Sequence, residues 1–209
     1  MQKATISIVY HSNYGHTEQA ALLLSGFLET DFTKVLLINV EEAENRWADL
    51  HSSDTILFGC PTYFGNVSAR FKTFMESTGS FWYSQAWKNK FAGAFTVSAT
   101  TGGDKLNTLQ SLAIFAAQHS MHWISLGVLP RYCNNMQTEG QNRLGTYLGL
   151  TLQSDNSQSE VHPFHPGDLL TIELFANRVL DVTLGFRNLP IPGYAEVKIK
   201  QQDALTTKE

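Results

Sequence analysis

Five short apolar runs recur through this 209-residue chain with helical patterns between them: "ATISIVY" from Ala4, "KVLLINV" from Lys34, "TILFGCP" from Thr55, "KFAGAFTV" from Lys90 and "WISLGVL" from Trp123. They are nearly continuous in apolarity and rich in β-branched and aromatic residues, as strands covered on both faces of a parallel sheet are. The intervening segments carry helical stripes: Ala20, Leu23, Leu24, Phe27 and Leu28; Phe71, Phe74 and Met75; Leu106, Leu109, Ala113, Ala116 and Ala117. Strands and helices in alternation imply right-handed crossovers and an open, doubly wound α/β sheet with helices on both faces. Ligands of such sheets bind outside the carboxyl ends of the strands.

Three polar, glycine-containing loops are placed at that edge: "HSNYGHT" after the first strand, "PTYFGN" after the third and "SATTGGD" after the fourth. The first offers hydroxyls, an amide, a ring nitrogen and backbone N–H groups at a predicted helix start, the kind of place that binds anions. No Lys or Arg occurs between Ala4 and Thr33. A phosphate bound there is therefore held by neutral donors and the helix dipole. Neither G-x-x-x-x-G-K-[ST] nor G-x-G-x-x-G occurs in this loop, so a Walker or dinucleotide Rossmann site is not supported.

The bulk composition narrows the class. A 43% hydrophobic content suffices for one substantial core, and a formal charge of −4 argues against a nucleic-acid footprint. No signal-peptide pattern and no apolar window of membrane length is present, which leads to an expectation of a cytoplasmic protein without membrane insertion. Cys60 and Cys133 lack CxxC spacing and read as free thiols. His119 with His122, and His162 with His165, have H-x-x-H spacing but no further ligand pattern, so no metal site is expected. A helix from about Asp168 to Leu184 packs back on the sheet through Leu170, Leu174, Phe175, Val179 and Val182. Residues 1–185 are expected to form one domain and 186–209 a proline-punctuated arm or tail.

Taken together, "SNYGHT", "PTYFGNVSARFKTFMESTGSFW" and the glycine loop after the fourth strand resemble the flavodoxin-like NAD(P)H:quinone oxidoreductases related to the tryptophan-repressor-binding protein WrbA. The resemblance runs from Ile6 to about Gly127. It implies a five-stranded parallel sheet of order 2-1-3-4-5 and an FMN site. Ser12, Asn13, Tyr14, Gly15, His16 and Thr17 would wrap the phosphate. Pro61, Thr62, Tyr63, Phe64, Gly65 and Asn66 would line the isoalloxazine, and Ser98, Ala99, Thr100, Thr101, Gly102 and Gly103 would close its other side.

Tyr63 stands where the family has Arg, and Gln118-His119-Ser120-Met121 where it often has His-His-Gly-Met. The resemblance implies hydride transfer from NADH or NADPH through FMN to a quinone or similar planar acceptor, by a ping-pong mechanism in a homodimer or homotetramer. Tyr14, Trp82 and His119 are the candidate catalytic walls of the acceptor slot. A flavodoxin-type single-electron carrier and a flavin or azo reductase remain the alternatives.

Overall fold

The computed structural model describes residues 2–131, 140–154 and 164–187. Cys133, His162 and nearly all of the expected tail lie outside the described residues.

The first run is β1 (Ala4–Tyr10), followed by α1 (His16–Leu28), β2 (Thr33–Asn39), α2 (Trp47–Ser52) and β3 (Thr55–Tyr63). A two-residue strand β4 (Asn66–Val67), helices α3 (Ala69–Ser77) and α4 (Gly79–Tyr83), β5 (Phe91–Ser98) and α5 (Lys105–Gln118) come next. β6 (His122–Trp123), β7 (Leu150–Gln153) and α6 (Pro166–Arg187) follow.

Among the described residues the sheet has seven strands rather than the expected five, in the order β2-β1-β3-β5-β6 with β4 paired to β3 and β7 to β5. β1 lies between β2 and β3, and β3 lies between β1 and β5, all parallel. Its two faces carry separate cores, one built on Ile6, Ile8, Leu24, Leu28 and Phe175, the other on Val9, Ile38, Phe58, Phe71, Trp87 and Phe115. The alternation of Ile8 and Val9 between those cores is the strand period of two at work.

Three expectations are corrected. The fifth strand is not the continuous run from Trp123: β6 pairs only with Phe91 and Ala92, and β7 takes over the same edge of β5 from Phe95 to Ser98. The run from Ile124 onward leaves the sheet, although its apolar side chains Ile124, Leu126 and Val128 still enter the first core. Apolarity reported burial there, not strand pairing.

Second, "PTYFGN" is a β-hairpin rather than a plain loop. Tyr63 pairs antiparallel with Asn66 across Phe64 and Gly65, whose φ angles are 48° and 73°. Two positive φ angles define the type I′ turn that matches strand twist.

Third, the buried stripe of α5 is Lys105, Thr108, Leu109, Leu112, Phe115 and Ala116. Leu106, expected inside, is half exposed, and the charged Lys105 is buried in its stead. Helix α6 starts near the expected point, and Ile172, Phe175, Ala176 and Val179 are its fully buried apolar residues.

Candidate functional site

The ends of β1, β3, β5 and β7 meet around a cavity of about 450 Å³. Of the residues singled out as cofactor-binding, it is lined by Ser12, Asn13, Tyr14, His16, Thr17, Pro61, Thr62, Tyr63, Phe64, Gly65, Ser98, Ala99, Thr100 and Gly103. Gly15, Asn66, Thr101 and Gly102 belong to the same loops without lining it; Asn66 lines a second groove beside α3 and α5, together with Tyr63 and Phe64. Val97, Asp104 and Ser154 complete the cavity wall and were not foreseen. Asp104 was legible as the end of the glycine loop, whereas Ser154 follows β7, a strand that the reading of a continuous fifth run conceals.

Each loop is held from behind. In the first, Gly15 adopts φ 88° immediately before α1, and no side chain among the described residues caps that helix. The first-turn N–H groups of α1 have no partner within the helix and so point at the cavity edge. Tyr10 donates to Glu18 Oε1 at 3.0 Å, tying the end of β1 to that turn. Burial, and then the Glu18 carboxylate, push the Tyr10 phenol up to about 12. His11 Nδ1 lies 2.8 Å from Ser68 Oγ, joining this loop to the start of α3, and burial lowers the imidazole's pKa.

In the second loop the Thr62 hydroxyl does not face outward. It sits 2.7 Å from Thr96 Oγ1 and 2.9 Å from Thr108 Oγ1, while Thr96 donates to the Cys60 carbonyl. This hydroxyl cluster anchors the hairpin to β5 and α5, and Asn107 Nδ2 fixes the Gly65 carbonyl at 2.5 Å. Cys60 beneath it is a buried free thiol whose pKa burial pushes up to about 12, which leaves it inert as a nucleophile.

In the third loop Gly103 has φ 57°, and a Cβ there would collide with Thr100 Oγ1 and Ser98 Oγ. The close approach of those hydroxyls requires glycine at this position.

Trp82 and His119 are not brought to this cavity. Trp82 lies on α4 and is half exposed. His119, at the end of α5, is 2% exposed and packs 4.6 Å from the Trp87 ring. The apolar stripe of α5 carries it into the second core, away from the sheet edge. Tyr14 alone of the three candidate walls lines the cavity, and it is highly exposed.

The donor set fits a phosphate-bearing ring cofactor. Ser12 Oγ and Ser98 Oγ are buried side-chain oxygens with no hydrogen-bond partner among the described residues, and both residues line the cavity. A buried hydroxyl left unpaired is costly unless a ligand or water completes it. Among the described residues no Lys or Arg lines the cavity, so the anion recognition they offer rests on neutral donors. Among the described residues no group of three or more His, Cys, Asp or Glu side chains could hold a metal, and no helix is long and apolar enough to cross a membrane.

A parallel sheet with three such loops at its carboxyl edge defines a flavodoxin-like protein. Comparison with known proteins narrows this. The model of the family described as NADPH-dependent FMN reductase matches residues 25–130. Flavodoxin FldP of Pseudomonas aeruginosa is 36% identical over 180 residues, 86% of this chain and 95% of that protein. Quinone-oxidoreductase QR2 of Triphysaria versicolor is 33% identical over 141 residues, 58% of this chain and 69% of that protein. The crystal structure of a flavodoxin, WrbA-like protein from Agrobacterium tumefaciens superposes with a TM-score of 0.69 at 34% identity, covering 88% of this chain and 99% of that one.

The chain belongs to the WrbA-like, flavodoxin-like NAD(P)H:quinone oxidoreductases within the NADPH-dependent FMN reductase family. Membership implies FMN as cofactor and a reduced nicotinamide as donor.

Proposed function

We propose that this protein is an FMN-dependent oxidoreductase that passes a hydride from NADH or NADPH to a quinone or similar planar acceptor. The observation that carries the reading is the pair of buried hydroxyls of Ser12 and Ser98, without a partner among the described residues, in one cavity built from three loops. Ser12, His16, Thr17 and the first-turn N–H groups of α1 would hold the phosphate. The hairpin residues Tyr63, Phe64 and Gly65 and the loop from Ser98 to Gly103 would flank the ring. Bound there, FMN supplies hydride acceptance and two-electron donation; the chain supplies position and electrostatics.

The open side of the cavity is bordered by the exposed Tyr14 and Phe64 rings, which can take a planar donor and a planar acceptor in turn. Sharing of one place by both substrates gives ping-pong kinetics. Trp82, half exposed on α4, would join the acceptor slot only from a second copy, in a homodimer or homotetramer. The flavin unit is assigned to residues 1–185 of a cytoplasmic protein.

The likeness to flavodoxin FldP over most of the chain favours a second reading, a single-electron carrier that does not react with nicotinamide. The visible spectrum of the FMN-loaded protein under anaerobic NADH or NADPH separates the two. Rapid bleaching, reversed by benzoquinone, is the expected result. A spectrum that reduced nicotinamide leaves unchanged, but that dithionite bleaches, establishes the carrier.

A further inference from the structure

Four consecutive backbone carbonyls of the third loop are held by the protein itself. The Ser154 N–H donates to Ser98 O at 3.1 Å, Gln153 Nε2 donates to Ala99 O at 2.9 Å, and Lys105 Nζ donates to both Thr100 O and Thr101 O. In a planar trans peptide the N–H points opposite to the C=O. The N–H groups of Ala99, Thr100, Thr101 and Gly102 are therefore turned away from these donors, and no hydrogen bond to any of the four is found among the described residues. Lys105 is 2% exposed, whereas residues 99–104 are exposed, so the N–H side of the loop faces outward: toward the cavity at Ala99 and Thr100, which line it, and toward the solvent beside it at Thr101 and Gly102.

A second set of bonds fixes these donors. Arg143 forms a two-point ion pair with Asp168, Nε to Oδ1 at 2.7 Å and Nη2 to Oδ2 at 3.0 Å, and Arg143 Nη2 also donates to Gln153 Oε1 at 2.8 Å. Asp168 accepts the Gln153 N–H at 3.0 Å. The amide of Gln153 is thereby oriented with its NH2 on Ala99 O. The charges facing Lys105 are Asp168 on α6, which favours the ammonium, and Arg143, which opposes it; Asp104 is its neighbour in the chain.

We propose that Lys105 is a positioning residue for the redox poise of the bound flavin: through Thr100 O and Thr101 O it holds the loop whose N–H groups at Ala99 and Thr100 face the cavity, and it places an ammonium directly behind that wall. This rests on the FMN reading above. Reduction transfers two electrons and one proton, as hydride, from the reduced nicotinamide, which leaves as the oxidised cation. The ring then carries one negative charge until it takes a further proton from solvent. These N–H groups and the cation behind them favour this charged product over the neutral oxidised ring. The phosphate is present in both states, so its grip at α1 does not discriminate between them.

The test is the midpoint potential of FMN bound to the protein, measured against a reference dye during dithionite titration, with neither nicotinamide nor quinone present. Lys105→Gln keeps an amide donor but removes the charge. It is expected to weaken binding of reduced relative to oxidised FMN about tenfold, a potential about 30 mV lower for a two-electron couple. Lys105→Met removes the donor as well and is expected to lower the potential at least as far.

In the wild type, burial lowers the Lys105 pKa to about 8. The potential should therefore fall more steeply with pH over about one unit above 8, where a tenfold coupling makes reduction draw in a further fraction of a proton, and Lys105→Gln should lack that steeper stretch. An FMN-loaded Lys105→Gln protein with the wild-type potential, or a wild type with no steeper stretch, overturns the proposal while leaving the flavoprotein reading intact. A wild type that binds no FMN overturns both. If neither variant retains flavin, the wild-type pH profile alone decides.

Discussion

The Thr78 hydroxyl donates to the Met75 carbonyl at 2.7 Å, so its contact with His119 Nε2 at 3.0 Å requires the imidazole to be the donor. That tautomer leaves Nδ1 as a buried lone pair with no partner among the described residues. Protonation would put an N–H there among Trp87 and Phe115, and burial accordingly lowers the His119 pKa to about 4.

The consequence is a pH-dependent stability. Between about pH 6.5 and 4 the unfolded chain binds a proton that the folded one refuses, so stability is lost as pH falls through that window, by up to about 3 kcal/mol. Urea unfolding at pH 7 and pH 4.5 measures it. His119→Phe keeps a ring against Trp87 and should remove much of the slope; an unchanged slope would assign the acid sensitivity to other groups.

Ser12→Ala should act with opposite signs on two equilibria. Its Oγ is buried without a partner among the described residues, so the flavin-free protein should melt at the same or a higher temperature. If the hydroxyl binds the FMN phosphate, affinity should fall by roughly 10- to 100-fold, the value of a hydrogen bond to a charged group. Fluorescence titration with FMN gives the second number; undiminished affinity would move the phosphate elsewhere.

Phe64 occupies the left-handed region at φ 48° with a fully exposed ring. Asn tolerates that conformation at lower cost, so Phe64→Asn should raise stability by about 1 kcal/mol. Quinone turnover should suffer in the same protein, through a higher KM, because an aromatic border of the acceptor place is gone. Steady-state kinetics beside a thermal melt checks both halves.

Arg143 and Asp168 are 9% and 2% exposed at their side chains. Arg143→Met leaves the carboxylate buried and uncompensated, which should cost about 3–5 kcal/mol in denaturant unfolding. The double variant Arg143→Met/Asp168→Asn should recover most of it, since an amide oxygen can still accept the Gln153 N–H without carrying charge.

Much of this architecture is legible in the sequence, for specific reasons. β1, β3 and β5 are buried on both faces, so their apolar runs mark them, and the polar loops that follow them converge because parallel strands present their carboxyl ends together. Three features escape. Lys105 is hidden because periodicity assigns interior positions to apolar residues, and nothing local shows that an ammonium will find carbonyls five and four residues back. The hairpin lacks the Asn-Gly or Asp-Gly pair that usually signals a type I′ turn. Ser154 reaches the site only because a strand resumes far along the chain, and no short-range pattern encodes that return.

That resumption has a further use. β6 ends opposite Ala92 and β7 begins opposite Phe95, so only the rungs of Gly93 and Ala94 lie between them. The segment from Ile124 to Gly149 leaves one edge of the sheet and rejoins it in step. Two residues joining Trp123 to Leu150 would therefore make a single uninterrupted border strand, and a longer insert would occupy the same gap without shifting any pairing. The interruption is a junction at which sequence can be added while the flavin loops keep their register, whereas removal of the segment would take away Ile124, Leu126 and Val128 from the first core and Arg143 from behind Gln153.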